Sequence, residues 1–446
     1  MNESQSCPNV LVIQPDQHRG TIMGCAGDKQ VQTPNLDQLA SEGIRFSHAA
    51  SSSPVCSPFR GTMQTGLYPH THGVIGNNIL LDPELTGFAE VFADAGYATG
   101  YIGKWHLDGG VPESGSGGFI APVLRRQGWQ EWHAHEKGHS FFDVWTFDDE
   151  GNKVHMEDYD WEPTWHTDMA LDFAKRPRDA ETPWLFYLGY GPPHKPQECP
   201  DRFLDLYDPD TFELPPDVQG RFSEEMERDL RRAYQVYYGQ VTAVDYEIGR
   251  VMQGLEDLGV AENTIVIYVS DHGDLLGSHV EGGSHVEEGD LRGKGSPYAT
   301  AFRVPCIVRW PERVAAGQVC DALVSSVDFT PTILDLAGLD IPEAMQGDSM
   351  AGWCLDGNGP RNEVVYLGLG RGQAGHGWRA VWDGRYVYSL MKYNVLYDHE
   401  EDPFEMHNRF EDDGYADVRA QLNEQMIRMA MSKEDPAIDA VRAVCK

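Results

Sequence analysis

The chain has 446 residues, enough for a large core and more than one structural unit. Its 70 acidic against 35 basic residues give a formal net charge of −35 with no basic stripe, which excludes nucleic acid and anionic membranes as partners. No apolar run is long enough to span a bilayer, and the 8 scattered cysteines form neither a CxxC metal site nor a dense disulfide framework. Met1 to Ser6 lack the basic and apolar regions of a signal peptide, so the chain as written is expected in the cytoplasm; with a leader removed, it would suit the periplasm or secretion.

In chain order, Asn9 to Gln14 reads as a buried strand that delivers Asp16 and Gln17 at its carboxyl end, the edge where ligands bind in open α/β sheets. A helix over Thr33 to Ala40 and a strand over Gly43 to Ala49 follow. In Pro54 to Gly66, Ser57 suits a helix N-cap, Pro58 the first helical position and Gly66 the stop. Cys56 then lies at the mouth of a short helix, where backbone N–H groups, the helix dipole and Arg60 would face an anion. Leu85 to Ala95 reads as a helix and Ala98 to Ile102 as a strand emptying into a loop, Gly103-Lys104-Trp105-His106, from which Lys104 and His106 can enter one cleft.

Gly128 to Trp165 resists assignment to regular elements; its tryptophans and histidines, Trp129 and His135 among them, offer aromatic faces and polar groups that suit a sugar ring. Trp184 to Gly189 is a strand opening onto the proline-stiffened loop that carries His194. A helix over Ser223 to Leu258 precedes a strand, Thr264 to Ser270, that ends in Asp271 and His272. These mirror Asp16 and Gln17, and the four together supply two carboxylates, an amide oxygen and an imidazole for one divalent cation. Gly277-Ser278-His279, the stretch Val280 to Gly289 and Lys294 come next, then a helix from Ser326 to Leu334. Beyond the glycines from Gly347 to Gly359, Glu363 to Leu369, Trp378 to Trp382 and Arg385 to Met391 alternate like antiparallel strands, and a helix covers Tyr415 to Met431. The pattern predicts an α/β large domain, 1–355, with a central mostly parallel mixed sheet flanked by helices. A small C-terminal α+β domain with an antiparallel sheet follows at 356–446.

Cys56-x-Pro58-x-Arg60 followed by Thr65-Gly66 resembles the signature of type I sulfatases, members of the alkaline phosphatase superfamily whose cysteine is oxidised to formylglycine after translation. Gly103-Lys104-Trp105-His106, Pro192-Pro193-His194-Lys195-Pro196, Asp271-His272-Gly273 and Leu396 to Met406 resemble further elements of that family in the family's order. The resemblance implies an alkaline phosphatase-like fold and hydrolysis of a sulfate ester, with a carbohydrate sulfate as substrate. It also implies maturation of Cys56 by a formylglycine-generating enzyme. An unmodified thiol titrates near pH ~8.5 and would form an adduct with no easy exit, whereas a hydrated aldehyde can attack with one hydroxyl and collapse through the other.

By the same resemblance Asp16, Gln17, Asp271, His272 and the side chain at 56 hold Ca²⁺, with Mg²⁺ or Mn²⁺ left open by the imidazole. Lys104, His194 and Lys294 contact sulfate, Arg60 anchors the hydrate, His106 is the base, and His194 or Lys294 protonates the leaving alcohol. His279 is a further substrate contact, and His285 a weaker one. The acidic surface opposes a polyanion, which favours a small or sparsely sulfated substrate. Phe59 stands where the family usually has a small residue, Gln17 where it usually has Asp, and His272 where it often has Asn. Gln17 also occurs in relatives that cleave phosphonate monoesters, so a phosphonate monoester or phosphodiester hydrolase is the alternative. An inactive glycan-binding homologue is the other, should Cys56 stay a thiol.

Overall fold

The computed structural model describes residues 7–109, 125–136, 138, 140–178, 182–279, 292–371 and 377–445. Ten strands of the described residues form one mixed sheet. They are β1 (Asn9–Asp16), β2 (Ile44–Ala50), β3 (Ala98–Lys104), β4 (Glu131–His135), β5 (Trp145–Phe147), β6 (Lys153–His155), β7 (Trp184–Pro193), β8 (Thr264–Val269), β9 (Cys306–Arg309) and β10 (Gln318–Ser325). Their order is β10-β2-β9-β8-β1-β7-β3-β4-β5-β6. The central run β8-β1-β7-β3 is parallel throughout, so four carboxyl ends emerge side by side.

Strand β1 is buried along its whole length because helices cover both faces. Val10 and Val12 join Phe59, Met63, Phe88 and Phe329 on one face, while Leu11 and Ile13 join Phe173, Val244, Ile248 and Leu255 on the other. The long helix Glu224–Asp257 on that second face is capped by Ser223, which accepts from the Met226 amide, and carries Glu224, Glu225 and Glu227 at its positive end.

Strands β11 (Val365–Leu369), β12 (Trp378–Trp382), β13 (Tyr386–Met391) and β14 (Val395–Asp398) make a separate antiparallel sheet. Tyr366, Tyr388, Leu390 and Leu396 pack on Leu422, Met426 and Ala430 of the helix Ala416–Ser432. Val365, Leu367, Trp378 and Trp382 on the opposite face pack on Ala50, Phe302 and Leu323 of the large unit.

Three expectations change. The helix around Cys56 runs from Cys56 to Thr65 with extended Val55 as its N-cap, so Ser57 lies inside it. The capping oxygen comes instead from Asn77, whose Oδ1 accepts from the Ser57 amide at 3.0 Å, and the Ser57 hydroxyl donates to the His106 carbonyl at 2.7 Å. Gly66 does end the helix, at a positive φ of 67°. Lys104 is the last residue of β3, not part of a loop, and the Trp105 amide after it donates to the His135 carbonyl at 2.8 Å. Finally, the aromatic-rich stretch is regular: it holds β4 to β6 and the start of the helix Glu162–Lys175, because β4 adds in parallel to β3.

Candidate active site

The parallel run places Asp271 and His272 after β8, Asp16 and Gln17 at the end of β1, His194 after β7 and Lys104 at the end of β3. Cys56, the first residue of its helix, meets them. Its Sγ lies 3.3 Å from His272 Nε2, 3.1 Å from Lys294 Nζ and 3.8 Å from Asp16 Oδ1. Burial raises the thiol's affinity for its proton, but Lys104, Lys294 and His272 reverse this and hold the pKa well below the ordinary cysteine value.

Lys104 Nζ donates to Asp16 Oδ2 at 2.8 Å, and an Arg60 amino group reaches the same oxygen at 3.2 Å while its partner amino group donates to the Lys104 carbonyl at 2.6 Å. Arg60 therefore neutralises the carboxylates from beneath. Burial and Cys56 act to raise the Asp16 pKa, yet Lys104, with His194 and Lys294, holds that carboxyl well below the usual range. Asp271 behaves oppositely: burial and the facing Asp16 charge push it up to about 6.

One ligand atom from each of Asp16, Cys56, Asp271 and His272 lies within 4.8 Å of the others. Asp271 Oδ2 is buried without a hydrogen-bond partner among the described residues, a costly state that a cation would relieve. His272 Nδ1 meets the Gly273 carbonyl at 2.9 Å, which leaves the Nε2 lone pair facing the cluster. The donor set fits one divalent ion. Gln17, at a positive φ of 74°, donates through Nε2 to Asp274 at 2.7 Å and accepts from Lys294 through Oε1 at 3.0 Å. Asp274, in turn, takes Arg292 Nε at 2.6 Å. Asp274 and Arg292 were not singled out from sequence, although an Asp three residues after Asp271 on the same turn was the available signal.

His106, in the left-handed region at φ 57°, places Nε2 3.2 Å from Asn78 Oδ1 and buries Nδ1 without a hydrogen-bond partner among the described residues. Burial takes its pKa down to about 4, and burial with Lys294 does the same for His194, whose Nδ1 donates to the Lys195 carbonyl at 2.6 Å. Both imidazoles are neutral at pH 7. Lys294 is held by its neighbours: the Gly295 amide donates to the Pro54 carbonyl at 3.0 Å, and Trp378 Nε1 of β12 donates to the Gly295 carbonyl at 3.0 Å.

Beside this cluster a narrow cleft is lined by Asp16, Lys104, His135, Phe141, Glu162 and His194, among others. His135 therefore lines the cleft. Trp129 does not: it is buried against Phe88 and Tyr101 with Nε1 donating to Gln64 at 2.9 Å, because the β3 face beneath the site needs an aromatic filling. His279 is also elsewhere, stacked on Tyr298 at 3.7 Å between centroids with Nε2 3.1 Å from the buried Glu405, so it is engaged between the two sheets. His285 lies outside the described residues.

Glu162 escaped the sequence reading. Burial pushes its pKa up to about 8, against about 4.5 for a free side chain. The folded state thus keeps a proton that the unfolded chain releases above pH 4.5, so this group's support is complete below that pH and lost as pH rises through about 8. The loss is up to about 5 kcal/mol. Glu162→Gln, which cannot ionise, is expected to gain melting temperature relative to the parent between pH 5 and pH 8; calorimetry at the two pH values measures the difference.

A parallel-centred sheet whose carboxyl edge joins a low-pKa cysteine, a cation-ready carboxylate pair and buried lysines defines an enzyme of the alkaline phosphatase superfamily. Residues 8–339 match the sulfatase family, residues 291–432 match the family described as N-sulphoglucosamine sulphohydrolase, C-terminal, and the chain belongs to the sulfatases. An ulvan-active sulfatase of Formosa agariphila is 30% identical over 411 residues, 90% of this chain and 76% of that one. An N-acetylglucosamine-6-O-sulfatase of Bacteroides thetaiotaomicron is 26% identical over 94% of this chain and 86% of its own. The crystal structure of a candidate sulfatase, yidJ, from Bacteroides fragilis superposes with a TM-score of 0.88 at 28% identity, covering 99% of both chains.

Proposed function

We propose that this sulfatase hydrolyses a small or sparsely sulfated carbohydrate ester, using Cys56 matured to formylglycine by a formylglycine-generating enzyme and one divalent cation. The observation that carries the reading is the convergence of Lys294, His272 and Asp16 on the Cys56 sulfur, the position a formylglycine oxygen would take. Asp16, Gln17, Asp271 and His272 would hold the ion with the side chain at 56; the oxygens suit Ca²⁺, and the imidazole leaves Mg²⁺ or Mn²⁺ open. The ion and the hydrated aldehyde would supply, respectively, polarisation of the sulfate oxygens and the attacking hydroxyl.

The chain's own groups do the rest. Lys104, His194 and Lys294 surround the place where charge grows on the sulfate oxygens. Arg60 keeps Asp16 and Asp271 together despite their like charge. His106 would take a proton at Nδ1, the nitrogen left over from its contact with Asn78, from the hydrated side chain at 56. Since His194 is neutral before substrate arrives, Lys294 brings the proton to the leaving alcohol.

Sulfate release from 4-nitrophenyl sulfate and monosulfated sugars, run beside a 4-nitrophenyl phosphonate, tests the assignment. Faster cleavage of the phosphonate would move the protein to the phosphonate monoester hydrolases, a change that Gln17 in the metal set keeps open. Mass spectrometry of the peptide carrying Cys56 decides against the inactive homologue when an aldehyde is found. A further expectation concerns Trp378→Phe, which deletes the donor to Gly295 and leaves space in a buried site: kcat falls roughly tenfold through a misplaced Lys294, and the melting temperature falls with it.

A further inference from the structure

The cleft beside Cys56 contains a carboxyl group that, among the described residues, no lysine or arginine pairs with directly. Glu162 is 2% exposed, and among the described residues it forms no ion pair with a lysine or arginine. Its Oε2 accepts the Gly191 amide at 3.2 Å. Its Oε1 is 3.5 Å from His166 Nδ1, but that nitrogen already meets the Gly189 carbonyl at 2.8 Å, and burial takes the imidazole's pKa down to about 4, so His166 brings no charge. Gly191 makes the close approach possible: a Cβ there would stand 2.5 Å from both Glu162 Oε2 and Phe141 Cε1.

A buried, unpaired carboxyl in an enzyme's substrate cleft keeps its proton, and then acts as both donor and acceptor. It shares the cleft with Lys104 and His194, which face the sulfate, and with Phe141 and Val144, an apolar wall suited to the C–H face of a ring. A ring packed on that wall with its sulfate toward Lys104 would share the cleft with Glu162.

We propose that Glu162 determines specificity: as a neutral carboxyl it exchanges hydrogen bonds with a hydroxyl or acylamino group of the leaving sugar, selecting an uncharged ring over an amino sugar's ammonium. This rests on the sugar-sulfate reading above. It adds to that reading the kind of sugar and the residue that recognises it. An ammonium would meet Lys104 and Lys195, and the ionised carboxylate that lines the cleft, Asp16, is already paired with Lys104 and Arg60, whereas an aryl ester would leave the Glu162 hydroxyl unpaired.

The test compares the parent with Glu162→Leu, Glu162→Asp and Glu162→Gln on N-acetylglucosamine 6-sulfate, galactose 6-sulfate, glucosamine 6-sulfate and 4-nitrophenyl sulfate. Leucine removes the polar group and aspartate withdraws it by one methylene, so either is expected to raise KM for the better neutral sugar about tenfold or more, several times its effect on the aryl ester. Glutamine, neutral with both donor and acceptor, is expected to restore KM to within about threefold of the parent. Aspartate guards against a leucine variant that fails to fold. Equal penalties on sugar and aryl esters, a glutamine variant as impaired as leucine, or a parent that prefers glucosamine 6-sulfate would each overturn the proposal. A parent that cleaves the aryl ester but no sugar sulfate would overturn the sugar reading with it, and one that cleaves neither would remove the sulfatase reading itself.

Discussion

Cys56→Ala is expected to lose turnover by on the order of 10⁴-fold or more, the scale on which removing a covalent nucleophile from an intact site is felt. The loss should come without unfolding. All ten residues of the Cys56–Thr65 helix are buried, its cap is supplied by Asn77, and the lysines and carboxylates around the sulfur have other partners. Initial rates of sulfate release from the alanine variant and from parent protein made without a maturation enzyme check this, with a melting curve beside them. An alanine variant within tenfold of the parent would mean that the reacting atom is elsewhere, and an active parent whose peptide retains a thiol would remove the aldehyde.

Asp271→Asn is expected to abolish activity and yet to stabilise the protein in chelator. At pH 7 the parent ionises both Asp16 and Asp271, since Asp271 is pushed up only to about 6, and two like charges then face each other in a buried site. Amidation removes one of them. Addition of a divalent ion should reverse the ranking. An ion present at ~100 times its dissociation constant adds about 2.7 kcal/mol to a protein that binds it, and the variant has lost a ligand. Thermal denaturation in EDTA and again with Ca²⁺, Mg²⁺ or Mn²⁺ reads both effects, and the most effective ion names the metal. An enzyme fully active after exhaustive chelation, or a variant that gains as much from the ion as the parent, would contradict the assigned ligand set.

Much of this site was legible in the sequence because the fold delivers it from strand ends. Short apolar runs followed by Asp16-Gln17, Lys104-Trp105-His106, Pro193-His194 and Asp271-His272 carry their chemistry with them, and parallel neighbours bring those ends together. What could not be read depends on partners distant in the chain. Ser57 has every local qualification for an N-cap, but Asn77 performs that service and frees the helix to begin at Cys56. Glu162 looks like an ordinary acid in a helix's first turn; only the end of β7, where the Gly191 amide donates to it, shows it as a buried carboxyl. Trp129 and His135 are alike in sequence context, but Trp129 precedes β4 and packs on Tyr101 in the core, while His135 ends β4 opposite Lys104 and lines the cleft. The fourth strand of the small sheet, Val395–Asp398, carries no clear strand signal of its own and shows itself only in its pairing with β13.

The tie from Trp378 to Gly295 also limits how such enzymes can be recombined. A chimera joined at the glycine-rich connection near Gly357 would inherit its lysine-bearing loop from one parent and the brace for that loop from the other. Exchanging the last ninety or so residues as a cassette would therefore transplant part of the reaction centre, and a working hybrid must carry the 54, 295 and 378 positions from a single ancestor.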